Sequence, residues 1–343
     1  LLLCNPALAA TVTDAIGDSW VTDLSQLARL RPRADDEGFG AAFRAAKRRA
    51  KAQFADWLKA TSGVTVDPDT IFDCQVKRIH EYKRQLLNIL HVIHVYLELV
   101  EDGKEPAAPR VVVFAGKAAP GYWAAKQIIR LINAVGREVN RDPRTKGLLK
   151  VAFLPDYRVT LAEVIIPAAN LSEQISTAGT EASGTSCMKF AFNGALTIGT
   201  MDGANIEIHR DVGPENMFAF GLRTEEIHDL QRRKAYHPAE YYRDRPMIRR
   251  VLDTLKDDRF STNQPGLFKW VFDSLTGEDR YFHLADLEDY AATQHRAATE
   301  YRDVNLWTRK AILNVARTPV FSSDRTIREY AEGIWNVKPV PPG

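Results

Sequence analysis

The segment Arg110-Val111-Val112-Val113-Phe114-Ala115 indicates the fold class most clearly, because it is apolar on both of its faces. A strand of this composition lies inside a parallel sheet that helices cover on both sides. Other runs with strand character precede and follow it, separated by helical stretches. These predicted strands are residues 1–4, 71–77, 150–154, 196–200 and 217–221. The alternation of strands and helices predicts an α/β fold with a doubly wound parallel sheet.

The stretches between the predicted strands have helical patterns. Apolar residues recur every three or four positions over residues 79–100, which is the period of a core-facing helix. Residues 119–135 repeat this pattern, and Pro120 suits the first turn of that helix. We expect the Ala- and Arg-rich residues 23–58 to form a helical insertion after the first strand. Residues 286–316 are expected to form one or two long helices.

Composition limits the classes of protein that this chain can represent. It has 343 residues, of which 45% are hydrophobic and 26% are charged, as in ordinary globular proteins. The 46 basic and 44 acidic residues leave a net charge of +2, so we expect no nucleic-acid partner. No apolar run approaches the roughly 20 residues of a membrane span, so we expect no membrane partner either.

The cysteines predict the cellular compartment of the protein, and the first residue bears on whether the chain is part of a longer protein. Cys4, Cys74 and Cys187 lack the CxxC spacing of a zinc site. Unpaired cysteines are typical of a reducing compartment, and we therefore expect a cytoplasmic protein without a bound metal. Because residue 1 is Leu rather than Met and begins an apolar run, we expect the chain to be part of a longer protein.

A cluster of cations follows the predicted strand 71–77, at its carboxyl end. Ligands of open α/β sheets bind at this edge. On one interpretation, these cations are simply the solvated start of the next helix. On the other, they bind an anion, because positive charge is disfavoured at a helix N-terminus unless a negative ligand offsets it. The cluster consists of Lys77, Arg78, His80, Lys83 and Arg84, together with the acid Glu81.

The end of the predicted strand 150–154 carries a second candidate site. Tyr157 and Arg158 follow it directly, and they suit a flat ring and a phosphate group. Arg158 can equally well pair with Asp156 or Glu163 on the surface. This signal is weak when taken alone.

A third candidate site is the stretch 176–190, which is rich in Gly, Ser and Thr and leads into a short helix ending at Asn193. Such a loop leaves backbone N–H groups available to an anion, although a capped helix with a tight turn is the alternative. The stretch matches neither GxGxxG nor the Walker motif, so dinucleotide and nucleoside-triphosphate binding are not indicated.

Lys189 distinguishes this stretch from an ordinary helix start. Its neighbours Met188, Phe190, Ala191 and Phe192 are apolar, so we expect Lys189 to be buried with a lowered pKa. A lysine of this kind is a nucleophile toward carbonyl groups. A phosphate-binding loop beside such a lysine meets the requirements of pyridoxal 5'-phosphate.

These residues resemble the α-glucan phosphorylase family, which includes the glycogen, starch and maltodextrin phosphorylases. The resemblance covers essentially all 343 residues, as the C-terminal half of the family's sequence. It implies the second, Rossmann-like domain of a GT-B type glycosyltransferase, with the chain beginning just inside that domain's first strand. It also implies one domain over 1–343 whose C-terminal helices, about 286–337, pack toward the family's N-terminal domain. The matching stretches, in family order, are 75–88, 115–122, 157–163, 172–207 and 321–327.

The resemblance implies an enzyme, a glycosyltransferase of carbohydrate metabolism, and a reaction. The family transfers the terminal α-1,4-linked glucose of a glucan to inorganic phosphate, which gives glucose 1-phosphate. Pyridoxal phosphate is the cofactor, and its 5'-phosphate helps the substrate phosphate to protonate the leaving oxygen. The implied partners are an α-1,4-glucan, inorganic phosphate, the family's N-terminal domain and a second copy in a homodimer. The family is allosteric and takes part in glycogen catabolism.

The resemblance also implies a role for each candidate residue. Lys189 forms the Schiff base with the cofactor, and Tyr157 lies at its ring. The residues around the cofactor phosphate are Lys77, Arg158, Thr185 and Gly184. The catalytic group is Lys77 with Arg78 and Lys83, of which the last two hold the substrate phosphate. The residues that bind the glucosyl hydroxyls are Glu181, Ser183 and Gly184.

The sequence departs from the family pattern at one site residue, and it leaves two alternative functions open. Cys187 stands where the family commonly has Asn, which introduces a thiol that oxidises if it is exposed enough to ionise. The first alternative is an isolated, non-catalytic domain that binds the cofactor or a sugar phosphate. The second is a nucleotide-sugar glycosyltransferase, which Lys189 disfavours because such enzymes need no Schiff base.

Overall fold

A parallel β-sheet forms the centre of the molecule. The computed structural model describes residues 1–338 and residue 340, and six strands lie within them. The strands are β1 (Ile71–Val76), β2 (Arg110–Ala115), β3 (Leu149–Leu154), β4 (Leu171–Gln174), β5 (Leu196–Gly199) and β6 (Phe218–Ala219). Their order in the sheet is β3-β2-β1-β4-β5-β6. This order confirms the predicted α/β fold with a Rossmann-like doubly wound parallel sheet.

Helices connect the strands and continue the chain after β6. Those of the first half are α1 (Pro6–Ile16), α2 (Glu37–Ser62), α3 (Gln85–Glu101), α4 (Trp123–Arg141), α5 (Val159–Ala168), α6 (Ser186–Phe192) and α7 (Ala204–Val212). Those of the second half are α8 (Thr224–Arg233), α9 (Pro238–Asp244), α10 (Pro246–Lys256), α11 (Lys269–Gly277), α12 (His283–Tyr301), α13 (Val304–Arg317) and α14 (Ser323–Tyr330). A 3₁₀ segment, Leu24–Asp35, precedes α2.

The strand β2 is buried on both faces, as its sequence predicts. Val112 and Phe114 pack into the apolar cluster that includes α3 and α4. Val111, Val113 and Ala115 pack into the cluster on the other face, which includes residues of α2 and α5. The two layers of helices therefore explain why the strand has no polar face.

The strand order reverses between β1 and β4. β1 pairs with β2 from Ile71 opposite Arg110 onward, and on its other side Asp73 lies opposite Leu171 of β4. In a doubly wound sheet this reversal opens a crevice at the carboxyl ends of the two strands. We call the space between the ends of β1 and β4 the switch-point crevice.

The expected strand at residues 1–4 is wrong. These residues form a turn that leads into α1, and the Leu3 side chain is exposed. The reason is a helix start: the Asn5 side chain accepts a hydrogen bond from the Leu8 N–H at 3.3 Å, and Pro6 occupies the first turn. The Ala- and Arg-rich segment therefore follows a helix and not a strand.

Two further expectations need correction. Helix α4 begins at Trp123, because residues 119–122 form a turn closed by a 3.0 Å hydrogen bond from the Tyr122 N–H to the Ala119 carbonyl. Pro120 therefore lies before the helix. The strand β4 has no counterpart among the predicted strands, since Glu173 and its neighbours are polar. Glu173 is nevertheless buried, and it accepts hydrogen bonds from Tyr290 at 2.8 Å and Gln294 at 2.6 Å.

The C-terminal third of the described chain is helical. The expected long helices over 286–316 are α12 and α13, and the Asp303 side chain caps the second by accepting a hydrogen bond from the Leu306 N–H at 2.9 Å. Among the described residues, none of the helices combines the length and the hydropathy that a bilayer crossing requires.

Candidate active site

Lys77 is the cation nearest to the sheet in the switch-point crevice. It follows β1 directly, and its N–H still bonds to the Ala115 carbonyl of β2 at 3.0 Å. Its Nζ donates a hydrogen bond of 2.7 Å to Oε1 of Gln174, the last residue of β4. Burial disfavours the charged amine and Lys83 repels it, and together these effects lower the pKa of Lys77 to about 8. An anion bound here would offset both effects.

An ion pair between Lys83 and Glu181 spans the switch-point crevice. The Lys83 Nζ contacts Oε2 of Glu181, and the two side chains are 12% and 22% exposed. The ammonium also lies 4.6 Å from the centre of the Tyr82 ring. Lys83 belongs to the loop after β1 and Glu181 to the loop after β4, so the pair joins the two loops that border the crevice.

Buried amides fix the loop that carries the cations. Gln75 of β1 donates a 3.0 Å hydrogen bond to the Lys83 carbonyl, and Gln85 donates one of 2.9 Å to the Arg78 carbonyl. Gly116 allows the loop to pass close to β2, because a Cβ there would lie 2.1 Å from the Lys77 carbonyl oxygen. The backbone of the loop is therefore held in place independently of the cationic side chains.

Arg84 is not available to an anion, although the sequence places it in the cationic cluster. Its side chain is fully buried and bonds to Oδ2 of Asp286 in α12 at 2.6 Å and to the Ile175 carbonyl at 2.7 Å. Its backbone has a positive φ of 57°, which turns the chain into α3 and directs the side chain beneath the site. Arg84 supports the site structurally, and the anion-binding interpretation does not extend to it.

The loop after β4 is held by the end of β5. Oδ2 of Asp202 accepts hydrogen bonds from the N–H groups of Thr180 at 3.2 Å and Glu181 at 2.9 Å. Gly203 has a φ of +50°, and a Cβ at this position would lie only 2.0 Å from the Glu181 carbonyl oxygen. The Thr200 hydroxyl donates a further bond of 2.7 Å to the Ser176 carbonyl. These contacts hold the backbone of the loop from which the Glu181 side chain extends.

The small-residue segment that follows lies beside Glu181, at the ends of β4 and β5. Gly184 is half-buried and lines a small cavity at the carboxyl ends of β4 and β5 together with Glu181 and Cys187, whereas Ser183 and Thr185 are exposed. The Cys187 thiol is buried and donates a 3.4 Å hydrogen bond to the Gly184 carbonyl. Burial raises the pKa of this thiol, so the condition for its oxidation, exposure with ionisation, is not met.

Lys189 is exposed, and the expectation that it is buried is wrong. Helix α6 turns Cys187, Phe190 and Ala191 toward the core, which places Lys189 on its outer side. There the lysine lines a groove with Val159 and Glu163 of α5. An apolar run in a short helix does not bury every position, because one side of the helix faces out.

The second candidate pair lies apart from the switch-point crevice. Arg158 is exposed, and its Nη1 bonds to Oδ2 of Asp156 at 2.9 Å, so the surface pairing that the sequence left open is the one observed. Lys117 contacts the same carboxylate at 2.7 Å. Tyr157 is half-buried and packs against the core cluster of α2 and α5.

The structure thus divides the sequence-predicted residues into two groups. Lys77, Lys83 and Glu181 meet in the switch-point crevice, and Gly184 lines the small cavity beside Glu181. The others lie outside the crevice: Arg78, Ser183 and Thr185 on exposed loops, Tyr157 and Arg158 between β3 and α5, and Lys189 on the outer side of α6, in the groove beside α5.

Three residues of the site escaped prediction. Gln174 bonds to Lys77, Asp202 holds the loop of Glu181, and Asn205 donates 2.9 Å hydrogen bonds to the carbonyls of Gln174 and Thr200. Gln174 is not predicted because its strand, β4, is not predicted. The signal for the other two is their position directly after β5, a third strand whose carboxyl end borders the crevice.

The strand order and the crevice at its reversal point define the class of this protein as an α/β domain with a Rossmann-like doubly wound sheet. Such a sheet is the kind found in the domains of GT-B proteins. The family model described as carbohydrate phosphorylase matches residues 1–337, and the chain belongs to that family.

Relatives within the family share about half of their residues with this chain. A glycogen phosphorylase of Synechocystis sp. is 50% identical over 340 residues. The brain form of glycogen phosphorylase from Bos taurus and the muscle form from Homo sapiens are each 50% identical over 339 residues. Each alignment covers 99% of this chain and 40% of the relative. The chain therefore spans about two fifths of the length of the proteins that it matches.

Proposed function

We propose that residues 1–343 are the C-terminal, cofactor-binding domain of an α-glucan phosphorylase. The complete enzyme transfers the terminal α-1,4-linked glucose of glycogen or a related glucan to inorganic phosphate and releases glucose 1-phosphate. The observation that carries the proposal is the convergence of Lys77 and Lys83 on the switch-point crevice, beside the Glu181 carboxylate. Cations suit the phosphate and a carboxylate suits sugar hydroxyls, so the crevice has partners for both substrates.

The chain has the chemical groups that pyridoxal 5'-phosphate needs. Its aldehyde needs a primary amine that a ligand can reach, and the exposed Lys189 provides one. Its phosphate needs a cation away from bulk water, which Lys77 provides, together with the small residue Gly184 and the hydroxyl of Thr185. When bound, the cofactor supplies a 5'-phosphate that assists proton transfer to the leaving glycosidic oxygen. The family resemblance assigns Tyr157 and Arg158 to the ring and the phosphate of the cofactor, and this assignment requires Arg158 to leave its pairing with Asp156.

Lys77 binds the cofactor phosphate in this proposal. With a pKa of about 8, a fraction of the amine is neutral near pH 7 to 8 in the empty crevice. A phosphate at hydrogen-bond distance favours the charged form and raises that pKa. Lys77 then takes up a proton and holds the anion through a charge-assisted hydrogen bond. Gln174 keeps the Nζ in position through the 2.7 Å contact.

Lys83 and Arg78 bind the substrate phosphate. Lys83 contacts Glu181 in this structure, so an incoming phosphate competes with that carboxylate for the ammonium. Arg78 is exposed on the same loop, and its guanidinium suits two phosphate oxygens at once. Two phosphates that meet in a site with little water repel each other strongly, and several cations are needed to offset the repulsion.

Glu181, Ser183 and Gly184 bind the glucosyl unit. A carboxylate accepts hydrogen bonds from sugar hydroxyls, and Glu181 becomes available for this role when phosphate attracts Lys83 away from it. The Asp202 contacts hold the Glu181 backbone during this exchange. The two substrates therefore support each other's binding through the Lys83–Glu181 pair.

The C-terminal helices, about 286–337, pack against the N-terminal domain of the complete enzyme in this proposal. Support comes from α14 and the residues after it, where large apolar side chains are exposed. These are Ile327, Tyr330, Ile334 and Trp335. The complete enzyme is proposed to be a homodimer that binds the glucan mainly through its N-terminal domain.

The test is phosphate-dependent release of glucose 1-phosphate from maltoheptaose, using protein that contains this chain and the N-terminal part that its relatives possess. Activity that requires both inorganic phosphate and pyridoxal phosphate supports the proposal. Release of free glucose, or activity without the cofactor, contradicts it.

A further inference from the structure

A second cavity lies between α2 and α13, at the amino ends of the strands. Its volume is about 320 Å³, which is in the range of small-molecule sites. Asn170 and Gly194 line it, and they come shortly before β4 and β5. The switch-point crevice is at the carboxyl ends of the strands. This second cavity, which we call the α2 cavity, is therefore separate from the candidate active site.

One face of α2 lines the α2 cavity with cations. The spacing of three, one and three positions places them on the same side of the helix. They are Arg44, Lys47, Arg48 and Lys51. The opposite wall is aromatic, because Tyr301 and Trp307 meet there edge to face at 5.1 Å between ring centres. Phe43 of α2 adds a third ring to the lining.

Lys47 is buried at the inner end of the α2 cavity. Its Nζ donates 2.9 Å hydrogen bonds to the carbonyls of Pro167 and Asn193. Burial disfavours its charge and Lys51 repels it, which lowers the pKa of Lys47 to about 7. Carbonyl groups satisfy its hydrogen bonds but carry no neutralising charge.

Lys51 is buried one helical turn further along. Its Nζ donates hydrogen bonds to the Thr70 carbonyl at 2.6 Å and to the Tyr301 hydroxyl at 3.1 Å, and burial lowers its pKa to about 7. The carboxylate of Asp69 also lines the cavity, but Arg48 holds it through bonds of 2.8 and 3.1 Å. Within the part of the chain that the structure describes, no carboxylate pairs with Lys47 or Lys51.

We propose that the α2 cavity binds a small organic anion with an aromatic body and one carboxylate or phosphate group. Two buried ammonium groups that lack a carboxylate partner favour a negative ligand, which would offset the cost of their burial. Three aromatic side chains provide surface for a flat apolar body. A sugar fits less well, because its hydroxyls would meet walls that are mainly apolar.

Arg44 is the side chain best suited to hold the anionic group at the opening of the cavity. It is half-buried, and its Nη1 makes a long bond of 3.4 Å to the Thr308 hydroxyl. Its guanidinium can therefore turn toward a ligand at little cost. A planar guanidinium binds the two oxygens of a carboxylate or phosphate together.

The first experiment is calorimetric titration of the protein with three probes of similar shape: 1-naphthoate, 1-naphthyl phosphate and the neutral 1-naphthamide. We expect at least one of the anions to bind ten times or more tightly than the amide, and the comparison of the two anions identifies the preferred group. Binding of the amide as tightly as both anions, or no binding of any probe, overturns the proposal.

The second experiment locates the bound probe. Arg44→Gln is expected to weaken binding of the anion about five-fold or more. Arg49→Gln is the matched control, because Arg49 is exposed on the same helix and does not line the cavity. Equal binding by wild type and Arg44→Gln, or an equal loss in both variants, contradicts the assigned site. Circular dichroism confirms that both variants are folded.

Discussion

Lys47, Lys51 and Lys77 each have a lowered pKa, and burial is the main cause in each case. A lysine with a lowered pKa binds fewer protons in the folded than in the unfolded chain. Above its folded pKa and below the unfolded value of about 10.4, the free energy of unfolding therefore rises with pH, by about 1.4 kcal/mol per pH unit for each such group. The gain disappears as the pH falls to the folded pKa.

The Lys47→Met variant tests this pH dependence of the unfolding free energy at one residue. Between pH 7.5 and 9, which lies above the folded pKa of about 7, wild type should gain about 2 kcal/mol of unfolding free energy relative to the variant. Urea unfolding at the two pH values measures the difference. Lys59→Met, at an exposed position of the same helix, should show no such change. A pH-independent difference between wild type and Lys47→Met would show that Lys47 keeps its charge throughout this range.

Lys83 and Lys189 are assigned different tasks, and alanine variants should separate them. In the complete enzyme, Lys83→Ala is expected to raise the KM for phosphate ten-fold or more while the cofactor stays bound. Lys189→Ala is expected to lose the cofactor. The measurements are steady-state kinetics against phosphate and cofactor content after gel filtration. Lys126→Ala, an exposed position on α4, is the control. An unchanged phosphate dependence in Lys83→Ala would remove that residue from the phosphate site.

At the scale of elements, the loop that carries Glu181 depends on the end of β5. Gly203→Ala places a Cβ 2.0 Å from the Glu181 carbonyl oxygen at a backbone φ of +50°, so the loop must move. We expect a loss of about 1–3 kcal/mol in the free energy of unfolding. Weaker sugar binding should accompany it.

Gly277→Ala is the matched control, because a Cβ there meets no atom within 4 Å and its φ is not positive. Urea unfolding of both variants, with glucose 1-phosphate binding by calorimetry, measures the two effects. If Gly203→Ala matches wild type in both, the β5 end does not position Glu181.

Strands and helices could be predicted from the sequence where a single physical signal, such as an unbroken apolar run, dominated. The Val-rich run of β2 is apolar because helices cover both of its faces, and no other element explains that pattern. β4 was missed because Glu173 is polar and yet buried, and its partners Tyr290 and Gln294 lie more than a hundred positions away. Residues 1–4 were assigned to a strand because Leu recurs there, although the Asn5 cap starts a helix.

The candidate site could likewise be predicted only in part from the sequence. Lys77 and Glu181 stand out because they follow strand ends, and the sheet brings such ends together. The exposure of Lys189 depends on which side of α6 faces the core, and the separation of Arg158 depends on Asp156. The packing of α6 leaves no clear pattern in the sequence, and the sequence offers the Asp156 pairing of Arg158 without deciding between it and a bound phosphate.

At the scale of the whole molecule, the ion pair of Arg84 and Asp286 joins the loop beneath the switch-point crevice to the C-terminal helix α12. The two side chains are 0% and 1% exposed, and the guanidinium also bonds to the Ile175 carbonyl. Removal of one partner leaves a buried charge without compensation, which costs about 3–5 kcal/mol.

Arg84→Met should therefore lower the free energy of unfolding by about that amount. Lys269→Met removes the exposed pair with Asp273, and it should change stability by less than about 1 kcal/mol. Urea unfolding of the two variants compares them directly. A similar small effect in both would mean that α12 is not held to the site through Arg84.

Attachment of pyridoxal phosphate to the chain at Lys189 is the part of the proposed function that a single experiment tests most directly. Incubation with the cofactor, reduction with borohydride and peptide mapping by mass spectrometry identify the lysine that carries it. Lys77, Lys47 and Lys51 are competing amines, since their lowered pKa values make them nucleophilic near neutral pH. We predict a single adduct on Lys189 that Lys189→Arg abolishes. An adduct on Lys77 instead, or labelling that persists unchanged in Lys189→Arg, would contradict the account.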